Sequence, residues 1–356
     1  MLMPSSEVIP EIHLRLLSWY DSHGRDLSWR YRPGTNIRPD PYRVWLSEIM
    51  LQQTTVTVVE RYFVKFLQTW PTVDALADAD EADVLAAWAG LGYYTRARNL
   101  HRCARILVKD YGGVFPEHPS ALKQLPGIGD YTAAAIAAIA HDYPVIAIDG
   151  NIERVLARLF AVETPLPTAR KDLRRHAESL VSPIRSGDVV QALMDLGAMI
   201  CRPVTPQCAL CPCVPFCEAH ALGRQSEFPV RKKRPGIPLR KGILYVGCRE
   251  DGAWLLEKRP GNGLLGGLYG WPGCIWDRSP PGGPPCDGDW RTVGTAVHHG
   301  FTHFRAEIEV RTALLASGCT PARGAFVPAE RFNPNALPVL MRKAFRAAEK
   351  QIAMMG

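Results

Sequence analysis

The sequence predicts a multidomain fold, an all-helical domain followed by a smaller α+β domain, and three observations carry that reading. At 356 residues the chain exceeds what one ordinary hydrophobic core supports. Apolar residues recur at helical spacing from Glu11 to about Leu222, then give way to short β-like runs. Between the two patterns lies Pro229 to Arg240, twelve residues with five cations (Arg231, Lys232, Lys233, Arg234, Arg240) and no acid, which reads as a solvated linker. The expected division is therefore 1–228, a linker at 229–240, and 241–356.

Within the first part, Val44 to Gln53, Val84 to Ala89, Thr95 to Val108, Thr132 to Ala140 and Ile152 to Phe160 show the helical period. Pro71, Gly90, Gly92, Pro116, Pro126, Gly127, Gly129, Pro144 and Pro167 separate them. Only Pro144 to Ile148 looks like a strand there. In the second part, Ile243 to Val246, Trp254 to Leu256 and Ile308 to Val310 predict strands. Ser279 to Pro285 predicts a loop and Leu340 to Ile352 a helix.

The net charge is +7, of which the basic stretch supplies five, so charge is a weak guide to the partner. A few placed cations and backbone amides suffice to grip phosphates, so a nucleic-acid partner stays open. Met1 to Pro10 has no basic start followed by an apolar core, and no apolar run approaches the roughly 20 residues of a membrane span. A cytoplasmic protein with no membrane association is expected.

Five of the ten cysteines crowd between Cys201 and Cys217, which points to a metal centre rather than to disulfides. Cys201-x6-Cys208-x2-Cys211-x5-Cys217 supplies four thiolates, enough for a 4Fe-4S cluster. A tetrahedral zinc site fits the same count. Cys213, two residues after Cys211, is read as a bystander.

Leu125-Pro126-Gly127-Ile128-Gly129 precedes an Ala-rich helix. Gly127 and Gly129 in a tight turn would aim backbone amides outward at a helix N-terminus, an anion site suited to a DNA phosphate. A plain helix-helix connection looks similar. Glu48 lies in Val44-Trp45-Leu46-Ser47-Glu48-Ile49-Met50-Leu51, with Asp40 as expected N-cap and Pro41 in the first turn. A carboxyl with so much apolar surface around it is either paired or pushed towards neutrality, which suits a general acid. Asp149 follows an apolar run and precedes the helix from Ile152. Helix capping alone accounts for it, and amide dipoles there favour the ionised form. Together the two make one carboxyl pushed towards neutral and one held charged, the division that acid-assisted cleavage of a glycosidic bond requires.

At this point the motifs match a family. Trp45 to Thr54, Gly90-Leu91-Gly92-Tyr93-Tyr94, Leu125 to Gly129, Ile148-Asp149-Gly150-Asn151 and the four-Cys spacing together resemble the MutY branch of the endonuclease III superfamily over nearly the whole chain. The resemblance implies a helix-hairpin-helix glycosylase domain with a 4Fe-4S cluster on Cys201, Cys208, Cys211 and Cys217. It implies a monomer acting on double-stranded DNA that carries adenine opposite 8-oxoguanine or guanine, in a bacterial cytoplasm and near the nucleoid. The adenine would be flipped out, Glu48 would protonate it, and Asp149 would stabilise the oxocarbenium-like sugar. Gln53 and Tyr93 would wedge into the duplex, and Trp29, Arg30 and Gln191 would wall the adenine pocket.

Tyr131 stands where bifunctional relatives carry a nucleophilic lysine, which implies a monofunctional enzyme. Glu153 likewise departs from a lysine found nearby in some relatives. Arg259-Pro260, Gly263 to Tyr269 and Phe301-Thr302-His303-Phe304 resemble the Nudix-like domain with which this branch reads 8-oxoguanine, through Phe301, Thr302 and His303. The acidic Nudix signature is missing, which speaks against nucleotide hydrolysis. Two rivals remain to be separated: a glycosylase for damaged or mispaired pyrimidines, and a non-catalytic iron-sulfur DNA sensor, which would need neither carboxylate.

Overall fold

The computed structural model describes residues 8–33, 35, 37–232, 236–261, 264–276, 283–301 and 303–354, without the side chains of 274–276. The chain divides into two units, Met1–Lys233 and Arg234–Gly356.

In the first unit α1 (Val8–His23) buries Ile12, Leu16 and Tyr20, one residue per turn on a single face. α2 (Pro41–Leu51) starts as its sequence dictates: the Asp40 side chain accepts from the Tyr42 amide, and Pro41 opens the first turn. It buries eight consecutive or near-consecutive residues from Tyr42 to Met50, so it is a central helix and not a surface one. α3 (Val56–Thr69), α4 (Val73–Asp78), α5 (Glu81–Ala87) and α6 (Thr95–Tyr111) follow, with Gly112 in the left-handed region ending α6.

α7 (Pro119–Leu122) and α8 (Asp130–His141) flank the glycine turn. The alanines of α8 are buried almost throughout, which lets α2, α7 and α11 pack against it. α9 (Gly150–Leu159), α10 (Arg170–Ser179) and α11 (Ser186–Asp195) complete the bundle. α11 runs straight into one π-helical turn, Leu196–Ile200, that delivers Cys201. α12 (Glu218–Ala221) closes the cysteine loop.

Pro144 to Ile148 forms no strand, contrary to expectation. Its apolar run is explained by burial of Ile146 and Ala147 in the helical core. The basic segment is also not free throughout. The Leu166 amide donates to Val230 O and Leu166 bridges to Arg231, while Leu239 and Arg240 already belong to the first strand of the second unit.

That unit holds β1 (Leu239–Arg249), β2 (Trp254–Lys258), β3 (Tyr269–Gly270), β4 (Gly273–Trp276), β5 (Arg291–Thr292), β6 (Val297–Gly300), β7 (Arg305–Leu315) and β8 (Ala325–Val327). The sheet runs β3-β2-β1-β7-β5, with β4 on β1, β6 on β7 and β8 on β2. β1 and β7 are parallel over their whole lengths, from Leu239 opposite Arg305 to Arg249 opposite Leu315. Side chains alternate in and out along β7, and α13 (Val339–Ile352) covers the inner face with Leu340, Met341, Ala344, Phe345 and Ala348. Trp271 anchors that layer, donating from its indole to Met341 O at 2.8 Å. Among the described residues no helix is long and apolar enough to cross a membrane.

Candidate active site

A cleft of about 780 Å³ in the helical unit is lined by Trp29, Arg30, Glu48, Gln53, Tyr93, Tyr131, Asp149 and Gln191, eight of the residues expected at a site. Glu48 sits on the fourth side of a helix whose other sides are core, so its carboxyl has little water. Burial pushes its pKa up to about 7, with Asp149 adding a smaller repulsion. A hydrogen bond from the Tyr131 hydroxyl and the Arg30 charge pull the other way. Burial, with the Glu48 and Asp149 carboxyls beside it, holds the Tyr131 phenol well above its ordinary range.

Asp149 is the N-cap of α9. Its Oδ1 accepts from the Asn151 and Ile152 amides at 2.9 and 2.7 Å, and its Oδ2 from Asn151 Nδ2 at 2.9 Å. Against the expectation from the helix dipole alone, its pKa is raised, because burial outweighs those three donors. The two carboxyls still differ in kind. One is answered by a single phenol, the other by three N–H groups that prefer the anion.

Across the mouth, Gln53 and Tyr93 both take left-handed backbone conformations, φ 59° and 48°. Such strain persists only where neighbours hold it. Arg96 does so here: its guanidinium donates to Ile49 O, Met50 O, Leu91 O and Gly92 O and lies over the Trp88 and Tyr93 rings. Burial lowers its pKa to about 10, so it remains a cation. The Tyr93 side chain is thereby presented half in solvent, beside an exposed Gln53.

The wall residues are fixed as firmly. Arg30 Nη1 reaches both oxygens of Asp195 at 2.8 Å, and Arg25 adds a contact at 2.7 Å. Asp195 is fully buried. Trp29 packs edge-on against Phe63. Gly127 and Gly129 stand apart from the cleft in the α7–α8 turn. Gly127 has φ +80°, and a Cβ there would also meet Asn99 at 2.9 Å. A Cβ on Gly129, the N-cap of α8, would meet nothing, so the backbone there is open to an approaching group.

Cys201, Cys208, Cys211 and Cys217 line a small separate cavity together with Arg158 and Val214. Cys213 is buried behind it and hydrogen-bonds Cys211 instead. Among the described residues no three His, Cys, Asp or Glu side chains converge tightly enough for a single metal ion. The four thiols surround a space rather than a point. Arg158, buried, donates to Cys201 Sγ at 3.3 Å and to the Arg202 and Pro203 carbonyls. Arg154, one turn earlier, bonds Cys201 O, Gly197 O and Asn151 Oδ1. α9 thus carries Asp149 at its start and grips the thiol loop along its length. Gly197 is needed for that contact, since a Cβ would come within 2.6 Å of Asn151.

In the second unit, the Phe301 amide donates to Phe304 O, closing a turn between β6 and β7. The Phe301 ring stacks on Phe304 at 4.6 Å, and Arg240 lies over Phe304. Phe301 therefore anchors the turn inward while His303 is exposed at its tip. Thr302 lies outside the described residues.

Residues 46–183 match the HhH-GPD superfamily of base excision DNA repair proteins, and residues 244–347 match the NUDIX domain. A human adenine DNA glycosylase is 34% identical over 94% of this chain and 73% of its own length. The chain belongs to the adenine DNA glycosylase family. The family relative from Mycolicibacterium smegmatis is 39% identical over 66% of this chain and 75% of its own. A thermostable thymine-DNA glycosylase superimposes with a TM-score of 0.54 at 28% identity, covering 61% of this chain and all of that one. A trapped endonuclease III–DNA covalent intermediate, at 19% identity and TM-score 0.51, shares the helical fold over 62% of this chain and 99% of its own.

For this family member, sequence reasoning overlooked Arg25, Arg96, Arg154, Arg158 and Asp195. Asp195 was findable: it interrupts Ala192-Leu193-Met194 and Leu196 just as Glu48 interrupts its own apolar run. The arginines carried no such signal, because a cation in a loop, like Arg25, or in an amphipathic helix, like the other three, ordinarily reads as solvated.

Proposed function

We propose that the protein is a monofunctional glycosylase that removes adenine opposite 8-oxoguanine or guanine in duplex DNA, acting as a monomer. The observation that carries this is Glu48, poised at about 7 in a cleft it shares with the amide-bound Asp149. Glu48 delivers its proton to a ring nitrogen of the flipped base, so that adenine leaves neutral as the glycosidic bond breaks. Asp149 stabilises the cationic sugar until water adds to the anomeric carbon and gives up a proton. Arg30, Trp29 and Gln191 supply the walls, and Gln53 and Tyr93 fill the stack the adenine vacates.

The turn through Gly127 and the α8 N-terminus at Gly129 take a backbone phosphate, and the Phe301–His303 turn reads the oxidised guanine. Tyr131 offers a hydroxyl in place of an amine, so no Schiff base forms and borohydride traps no covalent complex. Cys201, Cys208, Cys211 and Cys217 fit a 4Fe-4S cluster better than zinc, because a lone ion with bonds of about 2.3 Å needs convergent thiols. Bound there, the cluster would staple the loop to α9. Purified protein should contain about four irons per chain, unchanged in Cys213→Ser. The deciding experiment is incubation with duplexes bearing adenine opposite 8-oxoguanine, guanine or thymine, followed by alkali. Cleavage of the adenine strand opposite 8-oxoguanine and guanine supports the reading, and release of a pyrimidine instead overturns it.

A further inference from the structure

The second unit holds a pair of thiols that neither the cleft nor the four-Cys loop uses. Cys286 is buried in a small cluster with Leu255, Ala313 and Leu315, and half-buried Cys319 packs against that cluster. Cys319 is near enough to Cys286 to make its thiol harder to ionise. Their loops are joined by the backbone, Ala322 N donating to Pro285 O at 2.7 Å, and the Cys286 carbonyl is held by the Trp290 indole at 3.0 Å. On the open side, Arg249 is near enough to interact electrostatically with a Cys319 thiolate. Its guanidinium is fixed there by Asp251 and by the Phe326 ring at 4.5 Å.

We propose that Cys286 and Cys319 are a reversible redox pair, closing to a disulfide when the protein meets small-molecule disulfides. The inference stands apart from base excision. A half-buried thiol near a cation, backed by a buried partner, is the arrangement of an attacking and a resolving cysteine. Cys319 thiolate attacks one sulfur of the oxidant, forming a mixed disulfide and expelling one thiolate. Cys286 then loses its proton and attacks the Cys319 sulfur, expelling the second. Two protons and two electrons pass from the pair to the oxidant, which ends as two thiols. Burial, with Cys319 and Asp287 close by, holds the proton on Cys286, so the second step is the slower one and quickens with pH.

The test uses the full chain, treated with oxidised glutathione at pH 8, alkylated and mapped by peptide mass spectrometry without reduction. A Cys286–Cys319 peptide two hydrogens lighter than the free pair, reversed by dithiothreitol, is the expected product. Cys286→Ser should leave Cys319 as a glutathione adduct, whereas Cys319→Ser should leave Cys286 a free thiol. In the wild-type disulfide form, amides at 285–290 and 316–322 should exchange slower by on the order of tenfold. Recovery of both cysteines as free thiols, pairing of either with a different cysteine, or linkage only after unfolding in denaturant would overturn the proposal.

Discussion

In the helical unit the acids Glu48, Asp149 and Asp195 lie inside the protein, each answered by a chosen donor. In the sheet unit Asp251, Asp289 and Glu309 meet Arg249, Arg291 and Arg311 at the surface, two residues away along the chain. Exposed pairs of that kind are worth about 0–1 kcal/mol, whereas breaking a buried one costs about 3–5 kcal/mol. The first unit therefore concentrates its electrostatic energy at one cleft. The second places its ion pairs at the surface, where they contribute little.

The contrast is broken most severely at Glu48. Glu48→Gln should keep mismatch binding yet slow base release by about 10²–10⁴ in single-turnover assays, since the phosphate contacts are untouched. Near wild-type release would remove Glu48 from the mechanism. Next comes Asp195→Ala, which leaves Arg30 buried without its anion and should cost about 3–5 kcal/mol in urea unfolding. A loss below 1 kcal/mol would place that pair with the surface ones.

The recognition half sharpens the comparison at a smaller scale. Ending the chain after Lys233 keeps Val230 and Arg231 on Leu166, so the helical unit should cut alone. It should lose the preference for 8-oxoguanine over guanine by about 1–3 kcal/mol, which is one or two hydrogen bonds. Thr302→Ala with His303→Ala should reproduce part of that loss, and Thr302→Ser almost none. Equal rate ratios for whole and truncated protein would move the reading role to Gln53 and Tyr93.

The smallest effect concerns pH. Base release needs protonated Glu48, so it should fall as pH rises through about 7. The Tyr131 hydrogen bond lowers that pKa, and Tyr131→Phe should shift the falling limb to higher pH. A limb that stays in place, or moves down, would show the phenol does not touch the titrating carboxyl.

What the sequence disclosed follows the same divide. Asp40 and Pro41 announced the start of α2, and the apolar neighbours of Glu48 announced its burial, because both are local facts of a helix. That Glu48 and Asp149 share a cleft was not local; a hundred residues separate them. Arg96 was invisible for the same reason, since its four carbonyl partners come from the end of one helix and the loop before another. The basic stretch was misleading in detail: its charges suggested a solvated chain, yet both of its ends are pinned by backbone pairing that charge does not foretell. That the half-buried Phe301 ring stacks on Phe304 was not legible either, because the stack joins the turn's two ends through a partner three residues on.

The single π-helical turn after α11 sets an angular phase. A π turn holds one residue more than the α turn it replaces, and each helical residue rotates the chain by about 100°. Upstream of Leu196, Gln191 faces the cleft and Asp195 holds its wall; downstream, Cys201 faces the thiol cavity. Winding that turn as an ordinary α-helix with every residue kept would swing the Cys201 carbonyl about 100° off Arg154 and Arg158. The wider turn acts as an angular shim, taking up one residue so that the cleft and the thiol cavity keep their alignment on either side of it.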